Sequence, residues 1–168
     1  YSSSGKLENS TDFDGKNYQY TYVPFVEGNK SSGMISTIVD PLGRSMMFTY
    51  YPNGKAYQQF EQGNGVRTFI YGDHVTSVKE IDGYITRYFF DSNLDTKKII
   101  YPDGAMKYTD WNNGRVSADR MEFGGTTKFQ YDQKGNLSSI RRPEDYAEFQ
   151  ITYDQTFNKP VLIQPMAG

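Results

Sequence analysis

The chain has 168 residues and no cysteine, and its 18 basic side chains nearly balance 20 acidic ones. The lack of cysteine excludes a disulfide scaffold and thiolate chemistry, and the balanced charge argues against a nucleic-acid partner. The sequence also contains no apolar run long enough for a membrane span. Five Leu and five Ala are too few for a helical protein, whereas 15 Tyr and 11 Phe favour half-buried β-strands.

Two sets of markers recur along the chain with a shared period of about 21 residues. One set consists of turn glycines, and the other consists of aromatic residues that end a strand. A loop insertion at residues 23–33 accounts for the single longer interval. The turn glycines are Gly15, Gly43, Gly65, Gly83, Gly104 and Gly125, with Asp145 continuing the series. The strand-ending aromatics are Tyr22, Tyr50, Tyr71, Phe90, Trp111, Tyr131 and Tyr153.

Each repeat contains two short strands, and the second alternates apolar and polar residues. In residues 17–22 this alternation places Tyr18, Tyr20 and Tyr22 on one face of the strand. Residues 45–50, 128–131 and 148–153 follow the same pattern. One face of the predicted sheet is therefore apolar, and the other is polar.

Turns with glycine separate the strands. Four Asp-Gly or Asn-Gly pairs suit two-residue hairpin loops, in which both loop residues have positive φ. The only helix candidate, residues 143–148, is short and occupies the position of a turn. The four pairs are Asp14-Gly15, Asn53-Gly54, Asp82-Gly83 and Asp103-Gly104.

These patterns predict an all-β fold made of antiparallel β-hairpin repeats. About eight repeats of about 21 residues fit within residues 1–168, which we expect to form one repeat domain. Their sheet is expected to be a curved or spiralling strip, open or partly closed. The open edges of such a strip predict pairing of two copies edge to edge.

The sequence contains no convincing catalytic, metal or cofactor site. His74, the single histidine, lies in a turn, so neither a catalytic triad nor a cofactor is predicted and the chain is expected not to be an enzyme. Residues 91–95 imitate the start of a calcium loop, but Thr96 and Pro102 occupy positions that need Gly and Glu. Residues 63–65 lack the third glycine of a dinucleotide fingerprint.

The abundant aromatic residues allow two interpretations. In the first, Tyr and Phe form the core, because aliphatic residues are scarce; the strict spacing of the strand-ending aromatics favours this. In the second, exposed rings stack on a glycan or contact a protein. Trp111, beside the turn at Asn112–Gly114, and nearby Tyr108 are the candidate ligand-stacking residues.

Several segments resemble the tyrosine–aspartate (YD) repeats of the Rhs family. Residues 131–140 match the pattern Tyr-Asp-x-x-Gly-x-Leu-x-x-Ile at every marked position, and residues 39–50 are similar to a frequent variant. Residues 1–7 match with Ser2 in place of Asp, whereas Tyr50-Tyr51 and Tyr71-Gly72 depart from the pattern. The repeat-defining residues are Tyr1, Tyr22, Tyr50, Tyr71, Phe90, Tyr131, Asp132, Gly135, Tyr153 and Asp154.

The resemblance implies a non-catalytic structural module of a bacterial secreted or cell-surface protein associated with a toxin. In this family the hairpin strip forms a shell that encloses another protein or contacts one, so we expect the chain to be part of a longer protein. Expected partners are neighbouring repeats, an enclosed protein or a glycan. Residues 51–55 and 101–114 also resemble, less closely, the MORN-type hairpin repeat of membrane-associated scaffolds.

Overall fold

The computed structural model describes residues 1–143 and 148–165. Within these ranges the regular secondary structure consists of β-strands, and no helix is present that could cross a membrane. Asp145, which continues the glycine series, and most of the helix candidate at residues 143–148 lie outside the described residues.

Fifteen strands are present in the described residues, most of them five to eight residues long. They are β1 Asn9–Thr11, β2 Asn17–Tyr22, β3 Ile35–Val39, β4 Ser45–Tyr50, β5 Ala56–Glu61, β6 Gly65–Gly72, β7 Val75–Lys79, β8 Ile85–Phe90, β9 Thr96–Ile100, β10 Met106–Asn112, β11 Arg115–Met121, β12 Thr126–Tyr131, β13 Leu137–Arg141, β14 Glu148–Tyr153 and β15 Pro160–Pro165.

Within each compact unit of the chain, the strands are ordered in the sheet as they are in the sequence. The chain divides into two compact units, one comprising Tyr1–Gly72 with Thr76–Ile85 and the other Asp73–Val75 with Thr86–Gly168. In the first unit, successive strands from β1 to β6 pair antiparallel. In the second unit, those from β8 to β15 do the same. The prediction of an all-β fold of antiparallel hairpins is confirmed.

The same four-residue turn connects many of these strands. The N–H of its fourth residue donates to the carbonyl of the first, and the N–H of the first donates to the carbonyl of the fifth, at 2.7 to 3.1 Å. Positive φ occurs at the fourth residue, a glycine in all but one case. In the described residues these turns are Ser2–Gly5, Asp12–Gly15, Asp40–Gly43, Tyr51–Gly54, Glu80–Gly83, Asp91–Leu94, Tyr101–Gly104 and Asp132–Gly135.

This geometry corrects the prediction of two-residue loops. At Asp14-Gly15, Asn53-Gly54, Asp82-Gly83 and Asp103-Gly104, positive φ is confined to the glycine. The loops are one residue longer than predicted, because a tight turn is followed by a single left-handed residue that creates a bulge. A two-residue loop does occur at Asn113-Gly114, where φ is 51° and 72°.

A carboxylate or amide caps seven of these turns from one of two positions, and the Ser2 hydroxyl accepts the N–H of Lys6 in the turn Ser2–Gly5. When Asp is the first residue, its Oδ1 accepts the N–H groups two and four residues later, as Asp40 does from Leu42 and Arg44 at 2.9 Å each. When the first residue is Tyr or Glu, an Asp or Asn at the third position accepts the same fifth N–H instead. Examples are Asn53, Asp82 and Asp103, which accept from Lys55, Tyr84 and Ala105.

At Asp132 and Asp40 these hydrogen bonds stabilise the charged form of the capping carboxylate. The Asn136 side-chain amide and the backbone N–H groups of the turn lower the pKa of Asp132. Desolvation acts to raise the pKa of Asp40, but the Arg44 N–H, the Arg44 guanidinium and the Leu42 N–H together lower it. In these two turns the ionised carboxylate is therefore the better cap.

Burial in the described residues is shallow. Val78, at 9% exposure, is the one hydrophobic side chain among them that counts as buried. The predicted alternation is present in β2, where Tyr18, Tyr20 and Tyr22 are half-buried and Gln19 is exposed. The aromatic face thus reduces contact with water without forming a sealed core.

The long connection between β2 and β3 runs from Val23 to Met34 and is closed at its base by backbone hydrogen bonds. Ser31, in this connection, is 4% exposed, and its hydroxyl donates to the carbonyl of Tyr51 at 3.0 Å. The insertion therefore packs on the neighbouring turn at Tyr51–Gly54.

Candidate functional site

The ends of the second strands form the most regular feature of the molecule. A one-residue register shift occurs directly before six of the predicted strand-ending aromatics. Such bulges bend a strand and turn the following side chain in a new direction. The six are Tyr22, Tyr50, Phe90, Trp111, Tyr131 and Tyr153.

Five of these redirected side chains donate a hydrogen bond to a backbone carbonyl near the start of the preceding strand or, for Tyr22, just before it. We call this contact the aromatic clasp. Donor and acceptor are 15 or 16 residues apart in every case, which is the length of one hairpin. The clasps are Tyr22 to Leu7 at 2.6 Å, Tyr50 to Ile35 at 2.6 Å, Trp111 to Thr96 at 2.8 Å, Tyr131 to Val116 at 2.9 Å and Tyr153 to Leu137 at 3.1 Å.

In four clasps the acceptor residue also pairs with the strand-ending aromatic of the previous repeat. Leu137 pairs with Tyr131 across the bulge, and its carbonyl then accepts the hydroxyl of Tyr153. Val116 likewise pairs with Trp111 and accepts from Tyr131. Ile35 pairs with Tyr22 and accepts from Tyr50. Thr96 pairs with Phe90 and accepts from Trp111. These four clasps therefore link one repeat to the next.

A cation covers the aromatic ring of several repeats. Lys6 lies 4.8 Å from the ring centre of Tyr22, Lys55 lies 4.8 Å from that of Tyr71, and the Arg115 guanidinium lies 5.7 Å from that of Tyr131. Each cation directly precedes the residue in the acceptor position and follows a turn glycine. Such a contact contributes roughly 0.5–1 kcal/mol at an exposed site.

Tyr71 belongs to a variant repeat. Its ring packs edge-on against Tyr51, with centroids 5.9 Å apart, and burial raises its pKa. Tyr51 stands where the repeat pattern has Asp, and its hydroxyl donates to the carbonyl of Phe69 at 3.0 Å. Tyr57 completes the cluster with a centroid 4.8 Å from that of Tyr51. A tyrosine cluster here takes the place of the clasp.

Phe90 has no polar atom on its side chain, so its repeat is held differently. The backbone N–H of Phe90 donates to the carbonyl of His74 at 2.9 Å. The His74 ring is half-exposed, with Nδ1 3.1 Å from the carbonyl oxygen of Asp91 and Nε2 3.7 Å from a carboxylate oxygen of Asp73. These contacts give His74 a place in the backbone network of this connection.

The candidate ligand-stacking residues are engaged within the protein. Trp111 donates its indole N–H to Thr96, in the position that tyrosine has in other repeats. The Arg120 guanidinium covers one face of Tyr108 at 4.4 Å from the ring centre. Glycan stacking on these two residues stays a prediction, and it requires the ring surface that these contacts leave open.

The remaining motifs act as turns. Asp91 Oδ1 accepts the N–H groups of Asn93 and Asp95, at 2.8 and 3.1 Å, as Asp40 does in its own turn. Within residues 1–143 and 148–165, no three acidic or histidine side chains gather as metal ligands would. The glycines at 63 and 65 flank a hairpin loop, where the N–H of Asn64 donates to the carbonyl of Glu61.

One shallow groove of about 320 Å³ lies in the first unit. Tyr18, Ile38 and Met46 form its apolar floor, and the ion pair between Arg44 and Asp40, at 2.6 Å, stands on its rim. Asp40, Ser45 and Glu61 also line the groove, and the Ser45 hydroxyl donates to Oε1 of Gln62 at 3.1 Å.

Comparison with known proteins adds the following findings. No protein-family model matches the chain, and no curated protein matches it. Among solved structures, it is similar to a chain of the Tc holotoxin pore of Photorhabdus luminescens, with 14% sequence identity and a TM-score of 0.42. The similarity covers 89% of this chain and 7% of that chain.

Proposed function

We propose that this chain is a non-catalytic structural module built like the YD repeats of Rhs proteins. It contributes a section of β-sheet wall, or a contact surface, to a larger bacterial protein that is secreted or exposed on the cell surface. The observation that carries the proposal is the aromatic clasp, which recurs five times and is present in both units.

The use of polar groups supports a structural role. The carboxylates of Asp12, Asp40 and Asp91 are held by backbone N–H groups of their own turns. The polar atoms of the clasp aromatics bind backbone carbonyls. Chemistry on a substrate needs polar groups directed at a reacting atom, whereas these groups fix the backbone.

The shallow burial also suits a wall. Stability in a repeat array is approximately a sum over repeats and the interfaces between neighbours. A sheet held by clasps and turn caps can extend one hairpin at a time, because it needs no single central core. A wall or a contact surface can therefore be lengthened without a change in its local packing.

The proposal is tested on the natural polypeptide that contains this sequence. Cryo-electron microscopy is expected to show residues 1–165 as one stretch of a longer β-sheet wall that encloses or contacts another protein segment. A structure in which these strands pair with no other part of the protein and contact no partner would contradict the proposal.

A glycan array with the 168-residue chain tests the alternative function. We expect no selective binding, because Arg120 and Thr96 engage Tyr108 and Trp111. Selective binding that a Tyr108→Ala variant loses, while the distant Tyr84→Ala variant retains it, would instead establish a glycan-binding module.

A further inference from the structure

Strand β15, the first strand of its hairpin, has one partner among the described residues, whereas several other first strands have two. The first strands β3, β9, β11 and β13 each pair with a strand on both sides. Among the described residues β15 pairs with β14 alone, so the N–H and C=O groups of its other edge face outward. All six residues of β15 are exposed, including Val161 at 63% and Ile163 at 65%.

The first residue of β15, Pro160, is paired in the same way as the clasp acceptors of other repeats. Tyr153 pairs with Pro160 directly after its bulge, as Tyr131 pairs with Leu137. In four other repeats, the residue in this position gives its carbonyl to the strand-ending aromatic of the next second strand. Proline lacks an N–H but retains its carbonyl, so Pro160 keeps the one group that a clasp needs.

We infer that the outer edge of β15 is a docking site for one antiparallel strand that ends in Tyr or Trp, whose side chain donates to the carbonyl of Pro160. This inference rests on the proposed function, because it treats the edge as a junction between repeats. It adds the identity of the partner: an alternating strand of about six residues with a hydrogen-bonding aromatic at its end.

The apolar face of β15 fits the same partner. Ile163 pairs with Ile151, so both lie on the face that carries the half-buried residues of β14. An incoming strand with apolar residues at alternate positions covers Ile163 and Val161, as the second strands do in the other hairpins.

A second copy of β15 fits this edge less well. Two β15 strands can pair antiparallel about a twofold axis, but Pro160–Pro165 contains no aromatic residue. Such a pair brings no donor to Pro160, and the two prolines of each strand lower the number of N–H groups for the ladder. The clasp geometry therefore favours a strand that ends in Tyr or Trp over a second copy of β15.

The test uses a peptide with the sequence of Glu148–Tyr153, which is the type of strand that the inference names. Titrated into the isotope-labelled 168-residue chain, it is expected to shift the NMR signals of Val161–Gln164. The Tyr153→Phe peptide has the same shape without the hydroxyl, and we expect it to bind about fivefold more weakly, as one hydrogen bond predicts.

Two protein variants locate the binding. Ile163→Lys places a charge on the apolar face and is expected to weaken the peptide, whereas Gln164→Lys, on the opposite face, serves as the matched control. Equal affinity of the Tyr and Phe peptides, signal shifts centred on β1, or concentration-dependent pairing of two β15 strands in place of peptide binding would overturn the inference.

A linked version removes the dependence on a weak intermolecular affinity. Residues 166–168 are replaced by a copy of residues 101–111, a turn and strand that end in Trp. The extended chain is expected to melt at a higher temperature than the original, and Trp111→Phe in the appended copy is expected to lose part of that gain. No gain in melting temperature would overturn the inference.

Failure here is distinguishable from failure of the proposed function. The structural proposal depends on the internal clasps and on the wall seen in the natural polypeptide. It survives if β15 shows no preference for a strand that ends in Tyr or Trp.

Discussion

The segments Tyr131–Gly135 and Phe90–Leu94 occupy the same position in two repeats of one compact unit, yet they differ in composition. The first has a tyrosine clasp, a capping Asp and a glycine at the left-handed position, where φ is 88°. The second keeps the capping Asp91 but has Phe90 without a hydroxyl, and Leu94 with φ of 67°.

The two segments form the same turn with nearly the same backbone hydrogen bonds. The capping carboxylate is therefore the feature that this pair of repeats shares, while glycine and the tyrosine hydroxyl add stability where they occur. A non-glycine residue with positive φ costs roughly 1–2 kcal/mol. The unit tolerates that cost at Leu94, which is 74% exposed and free of crowding at its side chain.

The largest change in this comparison is expected from Gly135→Ala. A methyl group there adds backbone strain and clashes with an Nη atom of Arg115, so the guanidinium must shift from its place near the ring of Tyr131. We expect a loss of about 2 kcal/mol in the free energy of unfolding, measured by chemical denaturation. Gly43→Ala is the control, because φ there is 78° but no atom lies within 4 Å of the added carbon. Equal losses in both variants would show that the Arg115 contact is irrelevant.

Tyr131→Phe makes the first segment resemble the second at its aromatic residue. The variant removes the clasp to Val116 and leaves a half-buried carbonyl without this donor, so we expect a loss of about 1 kcal/mol. Tyr84→Phe, at a tyrosine that is 62% exposed, should change the unfolding free energy little. A Tyr131→Phe variant as stable as the original chain would refute a stabilising role for this clasp.

Leu94→Asn makes the second segment resemble the first at its left-handed residue. Asn adopts positive φ more readily than Leu, and the side chain at this position is exposed, so we expect a gain of about 0.5 kcal/mol in the free energy of unfolding. Thermal melting provides the measurement, with Leu42→Asn as the control at a similarly exposed leucine that does not have positive φ. A loss at Leu94 would mean that its side chain makes a stabilising contact.

The smallest expected effect is on the pH dependence of stability. The folded pKa of Asp132 lies below its ordinary value, so the unfolded chain binds the proton more readily. The resulting stabilisation is fully present above the unfolded pKa, near pH 4, and is lost as the pH falls through the folded pKa. Asp132→Asn should flatten this acid-side decrease in melting temperature. An unchanged acid profile would mean that the ionised cap contributes nothing to stability.

Much of the fold follows from patterns of period two and about 21 residues. Strands β2, β4 and β14 have the predicted bounds, because the alternation in residues 17–22, 45–50 and 148–153 is clear. The predicted loop length was one residue too short, because an Asp-Gly pair suits loops of two lengths. Only the backbone hydrogen bonds distinguish the two.

The clasps were not predicted. The alternating pattern assigns Tyr153 to one face of its strand, but the bulge before it redirects the ring toward Leu137. A sequence pattern that repeats every two residues does not reveal a bulge. A signal does exist in the constant interval of 15 or 16 residues between the strand-ending aromatic and the first residues after a turn. Trp111 belongs to this series, so its place in the repeat, and not its proximity to a turn, was the more informative feature.

Shallow burial has a consequence for how the molecule opens. With Val78 as the single hydrophobic side chain of the described residues that counts as buried, no central nucleus forces all strands to separate together. Amide protons should exchange fastest at β1 and β15 and progressively more slowly toward the strands that are paired on both sides. Fraying is thus confined to the terminal hairpins, and an added strand protects the interior by moving the frayed end outward.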